Sequence, residues 1–201
     1  MSQVVLATHN PGKLAELRRI LEPLVTGVDV LGLDDVADYP EPAETELTFE
    51  GNALIKARAA VSATGLPALA DDSGLCVEAL NLMPGVLSAR WAGPDKNDAD
   101  NNALLLRQLT GLPSSRRGAE FRCSVAFYAP GAKPIVRRGV MAGRVIRELR
   151  GAGGFGYDAL FVPEGHRQTT AEMGSELKDE LSHRGKALRA IAPQVAAALQ
   201  R

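Results

Sequence analysis

Cysteine, histidine and tryptophan are scarce in this chain of 201 residues, which holds two, three and one of them respectively. Cys76 and Cys123 stand far apart and, with the histidines, make no CxxC, no HExxH and no zinc-finger spacing. That argues against a structural zinc and against a disulfide framework. Neither sign of charge is in excess: Lys+Arg 23 against Asp+Glu 24 leaves a net charge of -1. The basic footprint of a polymeric nucleic-acid binder is therefore missing. No apolar run approaches the ~20 residues that a membrane span needs. The opening MSQVVLATHN has no basic segment followed by an apolar one. The chain reads as cytoplasmic, with neither nucleic acid nor membrane as a partner. Two catalytic signatures are missing as well. GxxxxGK[ST] is absent, which excludes a P-loop. GxSxG is absent too, and neither His9 nor His166 has a recognisable serine or cysteine partner, so a nucleophilic triad has no support.

What remains is the composition of an ordinary globular protein, 45% hydrophobic and 23% charged. A chain of this length is enough to bury roughly 70% of its unfolded surface as one domain, here residues 1–201. The apolar run Val4 to Ala7 predicts a strand. Thr8, His9, Asn10, Pro11, Gly12 and Lys13 lead from it into Leu14, Leu17 and Leu21 at helical spacing, with Asn10 as N-cap and Pro11 in the first helical position. Val28 to Leu31 reads as a second strand, and the acidic, proline-containing stretch Asp34 to Glu46 as an exposed loop. Phe49, Ala53, Ala57 and Ala60 form one stripe of a helix that begins at Thr48 and stops at Gly65-Leu66-Pro67. Ala68 to Ala70 predicts a buried strand ending at Asp71-Asp72-Ser73-Gly74. A helix is expected from Asp98 to Leu109, and paired strands over Phe121–Ala129 and Ile135–Ala142. The last helix begins near Ser182 and carries Leu188, Ile191, Val195 and Leu199 on one face, with Pro193 as a kink point. The expected fold is α/β: a long mixed β-sheet with flanking helices, forming two lobes around a cleft.

Five places carry residues suited to chemistry. The turn Thr8 to Lys13 opens a helix, whose N-terminus offers N–H groups and the positive end of its dipole to a phosphate; the plain alternative is a capped helix with a solvated lysine. In Asp71-Asp72, neighbouring strand residues face opposite ways, so the two acids take different jobs. Asp72 is the better choice for a metal or a water, and Asp71 for bracing backbone. Ser73 and Gly74 suit an anion, and the alternative is an Asx turn. Lys56 borders the apolar stripe of the second helix four residues after Asn52, the usual position of a lysine snorkelling at a core edge. Glu44 is one acid among several in the loop before it. Gly151 to Gly156 matches GxGxxG, yet the following Tyr157 to Val162 reads as a strand, whereas a dinucleotide fingerprint must open a helix. A glycine loop that presents Phe155 to a flat ring, with Asp158 near a phosphate or metal site, fits better; a plain hairpin connection is the alternative. Ser182-His183-Arg184-Gly185 stands at the start of the last helix, where Arg184 shares the buried-facing side and needs a partner, with Lys178 close upstream.

Taken in order, Thr8…Lys13, Glu44-Thr45…Thr48-Phe49…Asn52-Ala53…Lys56-Ala57, Ala70 to Leu75, Gly153 to Asp158 and Ser182 to Gly185 closely resemble the inosine triphosphate pyrophosphatase family over residues 3 to about 190. The resemblance implies a homodimer with a nucleotide cleft and Mg²⁺-dependent cleavage of ITP, dITP or XTP to the monophosphate and pyrophosphate. Carried over by motif, Thr8 to Lys13 bind triphosphate, Asp72 is catalytic base and metal-associated carboxylate, and Glu44 is the second acid at Mg²⁺. Ser73, Lys56 and Lys178 contact phosphate or substrate. Phe155, Gly156, Tyr157 and Asp158 form the nucleoside loop, and His183 with Arg184 read the base. Arginine offers donors only, which suits a 6-oxo group and opposes a 6-amino group. On that basis Arg184→Ala is expected to injure discrimination more than folding. Gly51, Glu46 and Ser175 depart from the family pattern, and Glu46 or Glu50 is an alternative to Glu44 at the metal. A nucleotide sensor without turnover, and a pyrophosphatase for modified pyrimidine triphosphates, are the competing functions.

Overall fold

Val4 and Val5 point to opposite faces of the first strand, and each face needs its own apolar cover. The computed structural model, which describes residues 2–36 and 38–199, supplies both. Strand β1 (Ser2–Leu6) is followed by helix α1 (Pro11–Leu21), strand β2 (Val28–Leu31), helix α2 (Phe49–Thr64) and strand β3 (Ala68–Val77). Then come helix α3 (Asp98–Gln108), strands β4 (Gly118–Tyr128), β5 (Ile135–Val145) and β6 (Phe161–Pro163), and helices α4 (Ser175–Leu181) and α5 (His183–Leu199). The strands form one six-stranded sheet in the order β2-β1-β3-β4-β5-β6. β1 runs parallel to β2, with Val4 beside Val30, and parallel to β3, with Leu6 beside Leu69. β5 and β6 are antiparallel, so the sheet is mixed.

The chain gathers into two compact units. One holds the residues up to Asp72, Cys123–Gly139 and those from Arg184 onward; the other holds Ser73–Arg122 and Val140–His183. In the first unit, Val4, Leu6 and Leu69 pack with Leu17 and Leu21 of α1 and with Leu188, Ile191 and Val195 of α5. Val5, Ala7, Ala68 and Ala70 pack instead with Ala53, Ala57 and Ala60 of α2. Both helices that carry the expected site are capped as their sequences dictate. Asn10 accepts from the Lys13 N–H at 3.1 Å, and Thr48 accepts from the Gly51 N–H at 3.1 Å. Gly65 ends α2 at φ 70°, a left-handed conformation that glycine tolerates without strain. In the second unit, Leu75, Val77, Leu105, Phe121, Leu160 and Phe161 form the core.

Three elements differ from the sequence-based expectation. The strand read from Tyr157 begins only at Phe161, because Asp158–Leu160 form a 3₁₀ turn. The third strand does not end at Asp71-Asp72; it runs on to Val77, with Leu75, Cys76 and Val77 buried. Gly74 permits this, because a Cβ there would lie 2.3 Å from Ser88 Oγ and 2.4 Å from the Gly85 carbonyl oxygen. The Asx turn considered there gives way to a continuous strand, in which Gly74 lies close to a second chain segment. A short helix, α4, also precedes the last one; α5 itself begins at His183, and Ser182 closes α4. No helix among the described residues is long and apolar enough to cross a membrane.

Candidate active site

Side chains alternate along β3, so the packing of Leu69 and Ala70 fixes where the next two residues point. Leu69 faces α1 and α5, which sends Asp71 the same way; Ala70 faces α2, and Asp72 follows it. Asp71 therefore meets Lys13 Nζ at 3.2 Å and Arg184 Nε at 3.2 Å. Arg184 also pairs through Nη1 with Glu16 of α1. Asp71 is 1% exposed, and burial alone would raise its carboxyl. Lys13, Arg184 and Lys56 outweigh that and hold it well below the usual carboxylate range. Arg184 is held above its ordinary value, since Asp71 and Glu16 outweigh its burial. Cys123 Sγ lies 4.0 Å from Asp71. Burial and the Asp71 charge push this thiol up, so it stays neutral.

Asp72 sits in a different balance. It accepts from Asn52 Nδ2 at 3.1 Å, and Lys56 Nζ lies 3.7 Å away. The same ammonium donates to Glu44 at 3.0 Å. Burial raises the Asp72 carboxyl, the Glu44 charge adds to that, and Lys56, Lys13 and the Asn52 hydrogen bond only partly offset it. Lys56 is held above its ordinary value because Asp72, Asp71 and Glu44 outweigh its own burial. Two carboxylates thus converge on one cation.

That donor set fits a hard divalent ion. Magnesium takes one or two carboxylates and completes its shell with water and phosphate oxygens. Among the described residues no group of three or more His, Cys, Asp or Glu side chains is placed to hold a metal. An ion held by Asp72 and Glu44 would thus be one shared with phosphate.

At the head of α1, Thr8 Oγ1 accepts from the Asn10 N–H at 3.2 Å, which shapes the turn. His9, Asn10 and Pro11 are exposed, while Thr8, Gly12 and Lys13 are half-buried. This leaves an accessible helix N-terminus with a lysine reaching inward to Asp71.

In the second unit, Asp158 organises the glycine loop. Its Oδ2 accepts from the Phe155 N–H at 2.9 Å and from Lys178 Nζ at 2.7 Å, and its Oδ1 from Thr170 Oγ1 at 2.8 Å. Lys178 Nζ lies 5.2 Å above the Phe155 ring centroid, within cation–π range. The Gly156 N–H donates to Asp98, and its carbonyl accepts from Asn102 Nδ2 at 2.8 Å. Tyr157 is buried and donates to the Ser88 carbonyl at 2.9 Å. Within this loop Phe155 and Gly156 are half-buried, whereas Tyr157 and Asp158 are anchors. The loop leads into a 3₁₀ turn at Asp158–Leu160 and then β6, so the GxGxxG match opens no α-helix. His183 is buried with its ring stacked on Phe121, centroids 4.9 Å apart. Ser73, next along the chain from Asp72, is half-buried.

Sequence reasoning missed Glu16 and left Asn52 out of the site. Glu16 is 6% exposed, three residues after Lys13 and four before Ile20; an acid on the buried stripe of α1 was the available signal. Asn52 is fully buried and uses both ends of its amide, accepting from the Glu46 N–H at 2.9 Å while donating to Asp72. The burial of Arg184 bears on its expected substitution. With its side chain 3% exposed and paired to two carboxylates, Arg184→Ala is expected to cost stability as well as discrimination.

Comparison with known proteins is consistent over nearly the whole chain. The model of the Ham1 family matches residues 4–194. The dITP/XTP pyrophosphatase of Cutibacterium acnes is 54% identical over 202 residues, covering 100% of this chain and 99% of that one. The crystal structure of the nucleoside-triphosphatase / dITP/XTP pyrophosphatase from Mycobacterium abscessus aligns with a TM-score of 0.77 at 51% identity, covering 95% of this chain and 99% of that one. A HAM1 protein from Coxiella burnetii aligns with a TM-score of 0.86 at 40% identity, covering 98% and 100%.

Proposed function

The chain belongs to the Ham1 family, and on that premise we propose that it hydrolyses the non-canonical purine nucleoside triphosphates ITP, dITP and XTP to the monophosphate and pyrophosphate. The single observation that carries the mechanism is the division of labour on β3. Asp71 is pinned between Lys13 and Arg184, whereas Asp72 lies with Asn52, Lys56 and Glu44.

A water attacking the α-phosphorus must lose a proton, and a carboxylate whose affinity for protons is raised by burial suits that task. Asp72 is that base, and Asn52 fixes its orientation by a hydrogen bond. Asp72 and Glu44 would hold Mg²⁺, which when bound screens phosphate charge and makes the water more acidic. Lys13, Lys56 and the α1 N-terminus bind the triphosphate, with Thr8 shaping that turn. Ser73 adds a hydroxyl. Phe155 offers the nucleoside a ring face, and Lys178 is held beside it by Asp158. His183 and Arg184 carry base recognition by motif. Arg184 does so as a residue already committed to Asp71 and Glu16, so it is also the brace of the catalytic strand. A cytoplasmic homodimer belongs to the same reading, as the family resemblance implies.

Incubation with ITP, dITP, XTP, ATP and GTP in the presence of Mg²⁺ tests the proposal. Pyrophosphate release with a preference for ITP, dITP and XTP is expected. Orthophosphate as the product, equal use of ATP, or tight ITP binding without turnover overturns it.

A further inference from the structure

The second unit contains a cavity of about 410 Å³ that none of the roles above uses, lined by Arg117, Arg144, Arg147, Arg150, Arg167 and Glu148 together with apolar and small residues. Its size is that of a small-molecule site. Five arginines against one glutamate are a strong concentration of charge in a chain whose net charge is -1.

The way these guanidinium groups are held matters more than their number. Arg117, 2% exposed, donates to three backbone carbonyls, those of Val145, Leu109 and Ile146, each at 2.8 Å. Arg147 donates to the Leu112 carbonyl at 2.8 Å, and Arg150 to the Arg167 carbonyl at 2.8 Å. Carbonyl dipoles orient a guanidinium without cancelling its charge. Of these five arginines only Arg150 has a carboxylate in ion-pair range among the described residues, Glu172 at 3.7 Å. Burial, and then the neighbouring Arg147 charge, push Arg117 below its ordinary value, the direction expected where positive charge accumulates without compensation. Arginine forks match phosphate oxygens in pairs, and a cavity built this way selects an anion with several such oxygens.

We propose that this arginine-lined cavity binds a small, multiply charged phosphate ligand at a site sharing no residue with Lys13, Lys56 and Asp72. The proposed reaction supplies two such ligands, pyrophosphate and a nucleoside monophosphate, and the inference rests on that reading only for the ligand's source. The binding test involves no turnover, so its outcome is separate from that of the ITP assay.

Inorganic pyrophosphate, IMP and citrate are each titrated calorimetrically into the full chain at fixed ionic strength. Two classes of pyrophosphate site per chain are expected in the wild type. Lys13→Ala should remove one class. Arg144→Gln/Arg147→Gln should weaken the other at least tenfold while leaving the ITP turnover rate within twofold. Arg167→Gln serves as the second variant, because that guanidinium makes no contact among the described residues whose loss would unfold the chain; it should weaken the same class. If IMP competes for this class, a nucleotide is the ligand; if it does not, pyrophosphate is. A single class in the wild type, retention of both classes in the arginine variants, or citrate binding as tightly as pyrophosphate overturns the proposal. So does dissociation of an oligomer by Arg144→Gln/Arg147→Gln with the titration unchanged, which assigns the cavity to an interface.

Discussion

Moving one position along β3 carries a carboxylate from the side of α1 and α5 to the side of α2, and with that step the charges that balance it change. Asp71 gains two cations at 3.2 Å; Asp72 gains an amide at 3.1 Å and a shared lysine. Asp72→Asn keeps the shape and the Asn52 neighbour but removes proton acceptance. Turnover of ITP should fall by roughly 10²–10⁴-fold, the usual contribution of a general base, while nucleotide affinity measured by calorimetry is retained. Near-normal turnover would remove Asp72 from that role. Asp71→Asn should act on stability instead. It leaves Lys13 and Arg184 without their shared counter-charge, a loss of about 3–5 kcal/mol for a broken buried pair, read from urea unfolding. The sign of the pH dependence follows from the direction of the shift. The folded carboxyl lies below its unfolded value of 3.8, so its stabilisation is complete above that pH and is lost as pH falls toward the folded value. Wild-type stability without metal should therefore decline steeply below about pH 4, and the Asp71→Asn variant should show a flatter acid limb. Parallel acid limbs in the two proteins would refute this assignment.

At the scale of elements, the glycine loop before β6 is set by one carboxylate, and its conformation leaves no room for a side chain at Gly154. A Cβ there would lie 2.1 Å from Asp158 Oδ2, and φ is +74°. Gly154→Ala should displace Asp158 from the Phe155 N–H and from Lys178, and so misplace the ring and the cation together. KM for ITP should rise more than tenfold with a smaller change in kcat, because the loop is proposed to bind the nucleoside and not to take the proton. A normal KM would show that this loop has no part in nucleoside binding. The helix α1 was legible in sequence because periodicity, an N-cap and a proline in the first helical position agreed, and α2 because periodicity agreed with a stop signal at Gly65-Leu66-Pro67. β1 and β2 were legible as short apolar runs. The extension of β3 past Asp72 was hidden, since two aspartates, a serine and a glycine have turn composition. What keeps them extended is non-local: Lys13 and Arg184 balance Asp71, and the Ser88 segment crosses over Gly74. The helix α4 was hidden as well, because SELKDEL has no apolar stripe and only Asp179 is buried in it. Among the candidate site residues, Asp72, Glu44 and Lys56 were singled out by motif order. Their common ion pairing through Lys56, and the separate pairing of Glu16 and Asp71 through Arg184, depended on residues far apart in the chain.

For the molecule as a whole, chain order and charge meet at a few places. The chain passes between its two units at Asp72-Ser73, Arg122-Cys123, Gly139-Val140 and His183-Arg184. Two of these four passages fall inside the motifs that carry the proposed chemistry. Buried ion pairs such as Arg184 with Asp71 and Glu16 are weak evidence for net stability, because desolvation offsets much of the attraction. The charges proposed to bind phosphate are thus better regarded as held in place for a ligand than as a source of folding free energy. Ligand binding to the native chain must then return stability through linkage. A non-hydrolysable ITP analogue with Mg²⁺ at about 100 times its Kd should add roughly 2.7 kcal/mol. For a chain of this size that corresponds to a rise in Tm of roughly 5–10 °C. EDTA should remove most of the rise, because two carboxylates beside bound polyphosphate repel it unless a cation lies with them. An equal rise with the corresponding ATP analogue would mean that the nucleotide is held by its phosphates alone, and the selectivity for a 6-oxo ring would have to be sought in turnover and not in binding.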